Sequence, residues 1–481
     1  MKIKVNNKER SIDGVAVSIT ELLKKENVEN PQMVSVQLNG EFIDKDKFDT
    51  LKLKDNDEIE FLYFMGGGSK DLGLITKILH TRFLKEDPHG SLHMPVYDDV
   101  TFEFKSAEDL ELAFQGRKPA HMYSRISNPT VEHFEQKVKA LTGAAGVMAL
   151  SSGMAAISNT ILAIAKSKDN IITSKHLFGN TYSLFENTLK DWGLETRYTN
   201  LTQPEKASCL VDENTRAIFL ETITNPQLEV ADIKALSGIA RKNNILLIAD
   251  TTMTPPYLFS AKDFGVDIEV ISSTKWISGG ATSVGGLIID HGTYDWKRSD
   301  KLQKDALKFG PFAFINRLRR EVYRNIGCCM SPHNAYLQSL GLETLLLRID
   351  AACENTRSIA EFLQKSRAVE SVNYPGLKDS AYYRVAKVQF AGKPGALLTF
   401  DLASREKCFK FLNSLKLIRR ATNLQDNRTL ILHPASTIFC EYDDKLKKEM
   451  GVRETLIRLA VGIEDAKDLI ADIEQGLEGI R

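Results

Sequence analysis

Cysteine is scarce and scattered. The six cysteines, Cys209, Cys328, Cys329, Cys353, Cys408 and Cys440, form no CxxC pair and have no histidine at zinc-ligand spacing, so neither a disulfide framework nor a metal site is expected. They read as reduced thiols of a cytoplasmic protein, the adjacent Cys328 and Cys329 as buried structural sulfur. Net charge is missing too. Lys+Arg number 63 and Asp+Glu 63, so no overall field draws nucleic acid or an anionic membrane. No apolar run approaches the ~18 residues of a membrane span. The opening MKIKVNNKERSIDG lacks the apolar stretch of a secretory leader, and internal repeats and low-complexity tracts are absent.

What is present is an ordinary globular chain, 43% hydrophobic and 26% charged over 481 residues, enough for about three domains at ~150 residues each. The first segment reads as strand, strand, helix, strand, turn, strand: IKV and VSVQL alternate, ITELLKKENV has helical spacing after Ser18, Asn39-Gly40 is a turn dipeptide, and EIEFLYF closes the unit. A small mixed sheet covering one helix is expected over residues 1–68. It stops at Gly66-Gly67-Gly68-Ser69, a glycine run that suits a linker or a slender tail.

Residues 69–130 show little sustained periodicity and read as a linker and an arm lying on another surface. Over 131–320 helices alternate with short apolar strands such as GVMAL, NIITSK, TRAIFLE, ILLIAD and EVISST, the pattern of an α/β domain whose parallel-rich sheet is covered on both faces. Residues 321–481 begin with a long helical stretch and end in ALLTFDL, LILHP and ETLIRLAVGI, a smaller α+β domain.

Open parallel sheets bind ligands at the carboxyl ends of their strands. There Ser151-Ser152-Gly153-Met154 follows GVMAL and opens a helix, whose free N–H groups make an anion pocket. Asp250 closes ILLIAD, and one crossover later Lys275 follows EVISST. A carboxylate there can hold a heteroaromatic ring nitrogen protonated, and a lysine kept from water becomes a nucleophile towards aldehydes. An ion pair at the sheet rim is the plainer reading, yet Ser272, Ser273, Thr274 and Trp276 around Lys275 are unusual for a solvated rim.

With these residues stand Tyr123-Ser-Arg-Ile-Ser-Asn-Pro-Thr130, Glu221-Thr-Ile-Thr-Asn-Pro226, Ala249-Asp-Thr-Thr252, His433-Pro-Ala-Ser-Thr437 and Leu456-Ile-Arg-Leu-Ala-Val-Gly462. In this order, from about Leu74 to the end, the motifs resemble the pyridoxal-phosphate enzymes of cysteine and methionine metabolism, the transsulfuration group, and within it the O-acetylhomoserine sulfhydrylases. The resemblance implies the aspartate-aminotransferase architecture (fold type I) and pyridoxal 5'-phosphate as cofactor. It implies that Lys275 bonds to the cofactor aldehyde and shuttles protons, and that Asp250 partners the ring nitrogen. The phosphate would be held by Ser152, Gly153, Met154, Ser272 and Thr274, with Thr252 alongside. Tyr123, counted also as catalytic, and Arg125 would reach the phosphate of a neighbouring subunit in a homotetramer. Asn225 would meet the ring hydroxyl, and Arg458 and Asn423 the substrate, Arg458 through its carboxylate.

Phe178 stands where the family commonly has a tyrosine stacked on the ring. It can stack but cannot donate a proton, which favours substrates that expel acetate. Asn180 stands where methionine γ-lyases have a cysteine, and Asn423 in Ala421-Thr-Asn-Leu-Gln-Asp426 is closer to the sulfhydrylase pattern. The expected reaction is γ-replacement on O-acetyl-L-homoserine by sulfide or a carrier thiocarboxylate, giving homocysteine and acetate. Cystathionine γ-synthase, cystathionine γ-lyase or methionine γ-lyase activity is the nearest alternative, and a non-catalytic sulfur-delivery scaffold the alternative of another class.

The first segment resembles β-grasp (ubiquitin-like) sulfur carriers of the thiamin and molybdopterin type through Leu38-Asn-Gly40, Leu53-Lys-Asp-Asn-Asp-Glu58 and its glycine end. Such carriers load sulfur on a terminal glycine. Here Gly67 and Gly68 are followed by more chain, so an adenylating enzyme or a protease acting at this tail is the partner that the resemblance implies.

Overall fold

The computed structural model describes residues 1–6, 8–12, 17–28, 31, 34–63, 72–84 and 87–480. Gly67 and Gly68 lie outside the described residues. The amino-terminal unit is built from β1 (Lys2–Val5), β2 (Lys8–Ser11), β3 (Val34–Leu38), β4 (Glu41–Phe42) and β5 (Glu58–Tyr63), in the order β2-β1-β5-β3-β4. β1 and β5 run parallel, and the other pairs are antiparallel. Helix α1 (Ile19–Lys25) buries Ile19, Leu22 and Leu23 against Ile3, Val5, Val36 and Ile59 of the sheet. Its start is set by a reciprocal cap: Ser18 Oγ accepts from Glu21 N at 3.2 Å, and Ser18 N donates to Glu21 Oε2 at 2.7 Å.

This unit touches the rest of the chain through the Asn39-Gly40 turn, whose Gly40 carbonyl accepts from Arg117 Nε at 2.8 Å, and through Asp46, 3.4 Å from Lys297. Arg298, next to Lys297, donates to Asn244 at the start of a central strand. The seat therefore lies at the amino rim of the main sheet, opposite the strand ends that gather ligands.

Residues 69–130 differ in part from the expectation of an arm alone. Helix α2 (Leu74–Leu79) buries Ile78 completely in the main core, because LITKIL brings apolar residues onto one face. Helix α3 (Ala107–Phe114) leaves Leu110 and Phe114 exposed. Helix α4 (Pro129–Thr142) is capped by Asn128 and ends at Gly143 with φ 63°.

The main sheet comprises β6 (Gly146–Leu150), β7 (Asn170–Thr173), β8 (Glu195–Tyr198), β9 (Thr215–Glu221), β10 (Leu246–Asp250), β11 (Ile268–Ile271) and β12 (Gly286–Asp290), ordered β6-β12-β11-β10-β9-β7-β8. All neighbours are parallel except β12, which is antiparallel to β11 and β6. The link from β11 to β12 carries only the turn Trp276–Ser278, no crossover helix, so the chain returns alongside. Alternate residues face two cores. Met148, Leu150, Ile248 and Ile288 meet helix α5 (Gly153–Ile164), while Val147, Ala149, Leu287 and Ile289 meet α2, α4 and the helix Leu345–Lys365.

The expected long helix after residue 320 is broken. At Gly327 (φ 78°) it stops, Cys328 and Cys329 cross beneath Leu150, and a new helix starts at Pro332. The two cysteines are half-buried rather than buried, because they lie in this strap at the edge of the core and not inside it.

The last sheet takes β13 (Ser371–Asn373), β14 (Leu397–Asp401), β15 (Arg419–Arg420), β16 (Leu430–Leu432) and β17 (Leu456–Ala460) in the order β13-β14-β17-β16-β15. Ile457 and Leu459 of β17 pack under the terminal helix Ala466–Glu478. Strand alternation then turns Arg458 the other way, towards the main sheet. Among the described residues no helix is long and apolar enough to cross a membrane.

β12 and the start of α5 approach backbone to backbone. A Cβ on Gly286 would lie 2.0 Å from the Ser152 carbonyl oxygen. Gly286→Ala is therefore expected to destabilise the protein by about 3 kcal/mol, the upper end for overpacking, read as a lowered melting temperature by calorimetry. A melting temperature equal to wild type would contradict this packing.

Candidate active site

The carboxyl ends of β6, β9, β10 and β11 converge on one crevice. At its floor Ser152 caps α5, its Oγ accepting from Ala155 N at 3.1 Å. The N–H groups of Gly153 and Met154, first in a 12-residue helix, have no acceptor within the helix and face outward with the positive dipole end. Gly153 is required by contact: a Cβ there would sit 2.6 Å from Ser272 Cβ. Ser272 follows β11. Its N–H donates to Thr252 Oγ1 at 2.8 Å, and its hydroxyl has no partner among the described residues. The Thr274 hydroxyl is engaged on both sides by Gly285, accepting from N at 3.0 Å and donating to O at 3.2 Å. Of the two hydroxyls expected here, Ser272 is the one free to meet an anion.

Asp250 and Glu221 end adjacent parallel strands and stand opposite one another in register. Asp250 Oδ1 accepts from Thr252 N at 2.9 Å, and no cation pairs with Asp250 among the described residues. Burial, against its bonds from Thr252, pushes its carboxyl up to about 6. Glu221 is pushed up to about 8 by burial and by the neighbouring Asp250. Its oxygens accept from the backbone N–H of Phe178 at 2.6 Å and of Asn225 at 3.2 Å. One buried carboxyl thus fixes the aromatic residue and the asparagine expected around a ring.

Two cations, Lys275 and Arg458, belong to the same crevice. Burial and the nearby Arg458 lower the Lys275 amine to about 8, and its Nζ donates to Asn423 Oδ1 at 2.8 Å. Arg458 is 2% exposed. It donates to Asn225 Oδ1 at 3.2 Å and to the carbonyls of Thr422 and Asn423 at 3.3 and 3.1 Å, and its Nε is buried without a partner. No carboxylate meets it among the described residues, and burial lowers it to about 10. A buried guanidinium with only neutral partners is a receptor for an anion.

The donor set fits pyridoxal phosphate: free helix N–H groups and the Ser272 hydroxyl for phosphate, an uncompensated buried carboxyl for a protonated ring nitrogen, and a desolvated amine for the aldehyde. Tyr123 and Arg125 are not brought to it in this chain. Tyr123 is exposed, with the Arg125 guanidinium 5.4 Å from its ring centre, and Arg125 Nη1 donates to the Arg324 carbonyl at 2.7 Å. Two residues carried no role in the sequence reading. Glu221 ends the apolar strand TRAIFLE as Asp250 ends ILLIAD, a signal that could have found it. Asp426 is 8% exposed and accepts from Asn423 Nδ2 at 3.2 Å. Only the folded turn shows that contact.

The elevated Asp250 carboxyl makes a signed prediction. Ionising it costs the fold free energy, a cost absent below about pH 4, where the unfolded chain is protonated as well, and complete above about pH 6. In cofactor-free protein, Asp250→Asn is expected to be more stable than wild type at pH 7.5 by on the order of 3 kcal/mol, the advantage vanishing by pH 4. Calorimetry across this range checks it, and a variant less stable at pH 7.5 would contradict it.

Comparison with known proteins agrees with this geometry. Residues 75–478 match the family described as Cys/Met metabolism PLP-dependent enzyme, and residues 3–68 match the ThiS family. An L-methionine gamma-lyase of Fusobacterium nucleatum is 36% identical over 413 residues, covering 85% of this chain and 99% of its own. The solved O-acetylhomoserine sulfhydrylase of Wolinella succinogenes, described with a novel mechanism of sulfur transfer in the methionine biosynthetic pathway, is 51% identical with TM-score 0.68, covering 73% of this chain and 97% of its own. A Campylobacter jejuni structure assigned as an O-acetylhomoserine (thiol)-lyase, holding N'-pyridoxyl-lysine-5'-monophosphate, is 31% identical with TM-score 0.79, covering 85% and 100%. The main sheet and the one after it are the fold of type I PLP-dependent enzymes, and the amino-terminal unit is a β-grasp. The chain belongs to the Cys/Met metabolism PLP-dependent enzymes and carries a ThiS-family domain at its amino end.

Proposed function

We propose that this PLP-dependent enzyme is an O-acetyl-L-homoserine sulfhydrylase of methionine biosynthesis, forming homocysteine and acetate. The observation that carries the reading is Phe178. It is fixed through its N–H by Glu221 at the position where the family commonly offers a tyrosine, and its ring has no proton to give. Acetate is a stable anion and departs without such help, whereas the thiolates lost from methionine or cystathionine are more basic and profit from an acid. The 51% identity to the W. succinogenes sulfhydrylase supports the same choice.

The bound cofactor supplies an electron sink for the pair left at the substrate Cα. The chain does the rest. Arg458 takes the substrate carboxylate in a two-pronged bond and so aims Cα at Lys275. Lys275 Nζ, desolvated and near neutrality, takes the proton from Cα and moves protons to and from the adjacent carbons. Asp250 keeps the ring nitrogen protonated, Asn225 meets the ring hydroxyl, and the start of α5 at Ser152, Gly153 and Met154 cradles the phosphate with the Ser272 hydroxyl, while Thr252 fixes Ser272 and Thr274, bonded to Gly285, shapes the loop. The Cγ–O bond breaks with its electron pair leaving on acetate. A Cγ–S bond forms from hydrosulfide, which keeps its proton as the thiol of homocysteine, and Lys275 returns the protons it took to the substrate carbons. Tyr123 and Arg125, set apart from this crevice, serve the phosphate of a neighbouring subunit in a homotetramer in the cytoplasm.

The ThiS-family domain is the alternative sulfur source. For it to carry a thiocarboxylate on Gly68, a protease must first cleave the bond to Ser69 and an adenylating partner must activate the new carboxylate. If the domain is only a tether, the protein from its native cells stays full-length under sulfur limitation, and deleting residues 1–68 leaves the sulfide-dependent rate unchanged. Intact mass spectrometry with that assay separates the two.

Steady-state turnover of O-acetyl-L-homoserine with sulfide is expected to exceed elimination from L-methionine or L-cystathionine by at least about tenfold, and Phe178→Tyr to raise the weak thioether activity while changing acetate loss little. Lys275→Ala should lose both turnover and the visible absorbance of the cofactor-loaded protein. Preference for methionine or cystathionine in the wild type would make the enzyme a lyase.

A further inference from the structure

One residue touches both cations of the crevice. Asn423 receives Arg458 Nη2 on its main-chain carbonyl at 3.1 Å and Lys275 Nζ on its side-chain Oδ1 at 2.8 Å. The substrate Cα lies one bond from the carboxylate that Arg458 would hold. The amine that takes its proton must therefore stand at a set distance from the guanidinium, and Asn423 is the residue that sets it.

What orients Asn423 is Asp426. An asparagine amide has a donor end and an acceptor end of nearly the same shape, and the surrounding bonds decide which way it faces. Asp426 Oδ2 accepts from Asn423 Nδ2 at 3.2 Å, so the amide must turn its oxygen to Lys275. Asp426 is itself fixed. Its Oδ1 accepts from Arg428 N at 3.1 Å, and the turn is closed by Gln425 in the left-handed conformation (φ 56°), whose Nε2 donates to the Met253 carbonyl at 3.1 Å. A left-handed non-glycine residue, buried and tied down in this way, is a conformation that the surroundings impose.

We propose that Asp426 is a positioning residue of the reaction: through Asn423 it holds the Lys275 amine, whenever that nitrogen is not bonded elsewhere, beside the carboxylate anchor Arg458 and with its lone pair available on the substrate side. The inference rests on Lys275 being the proton-carrying lysine. The charged groups felt at Lys275 are Arg458 on β17, which lowers its proton affinity, and Asp426, which raises it. Loss of the Asp426 charge must therefore make the amine more acidic.

The test reads the amine in full-length protein stripped of cofactor. Competitive acylation of Lys275 against pH, followed by peptide mass spectrometry, gives its titration midpoint. Asp426→Asn and Asn423→Ala are each expected to lower that midpoint by about half a pH unit or more, Asp426→Glu to restore it, and Arg428→Ala, whose exposed guanidinium lies 3.8 Å from Asp426, to leave it unchanged. In loaded enzyme, kcat of Asp426→Asn should fall about tenfold while KM for O-acetyl-L-homoserine stays within about twofold. Wild-type midpoints in folded Asp426→Asn and Asn423→Ala overturn the proposal, and if Asp426→Asn does not fold, Asn423→Ala decides alone. Failure of the underlying assignment shows differently, as Lys275→Ala protein that keeps the visible absorbance.

Discussion

Four charged groups without direct partners, Glu221 and Arg458 buried and Asp250 and Lys275 partly so, govern this structure. Among the described residues Arg458 and Lys275 have only neutral hydrogen-bond partners, and Asp250 and Glu221 have no cation paired with them. In an ordinary core such groups would pair directly or be replaced by apolar side chains, since an isolated buried charge costs several kcal/mol. Here the amine and the carboxyls respond by shifting towards neutrality. The scaffold leaves the complementary charges to be supplied by what binds: a protonated ring nitrogen against Asp250 and a carboxylate against Arg458.

Two sheets carry these groups. Parallel register puts Glu221 and Asp250 side by side at the ends of β9 and β10, too close for both to ionise without help. Strand alternation in β17 sends Ile457 and Leu459 into their own core and leaves Arg458 facing the crevice. Gly153 and Gly286 let α5, β11 and β12 close to backbone contact, which brings the free N–H groups of α5 against Ser272. The main sheet carries Glu221, Asp250 and, just after β11, Lys275, and the last sheet carries Arg458, so rigid elements fix where each charge stands.

Much of this was legible in the chain because strand ends are. Short apolar runs that terminate in Asp250 or lead into Lys275 mark a crevice without further knowledge, and LIRLAV marks a buried arginine. Glu221 carried the same signal, but its meaning depends on lying beside Asp250, and register is not written in either strand alone. Asp426 was hidden for another reason: its contact with Asn423 exists only because Gln425 turns left-handed, a conformation that glutamine gives no reason to expect. The broken helix at Gly327 and the burial of Ile78 were missed where tertiary contact overrides local pattern. Residues 64–71, with the glycine run, lie outside the described structure, so the sequence alone speaks for that tail.

The most direct measurement is a high-resolution crystal structure of the loaded full-length enzyme with O-acetyl-L-homoserine trapped in the crevice. The substrate carboxylate is expected about 3 Å from the Arg458 guanidinium and the ring nitrogen about 3 Å from Asp250. A bound substrate that leaves Arg458 bonded only to Asn225, Thr422 and Asn423, with its carboxylate held elsewhere, would contradict it.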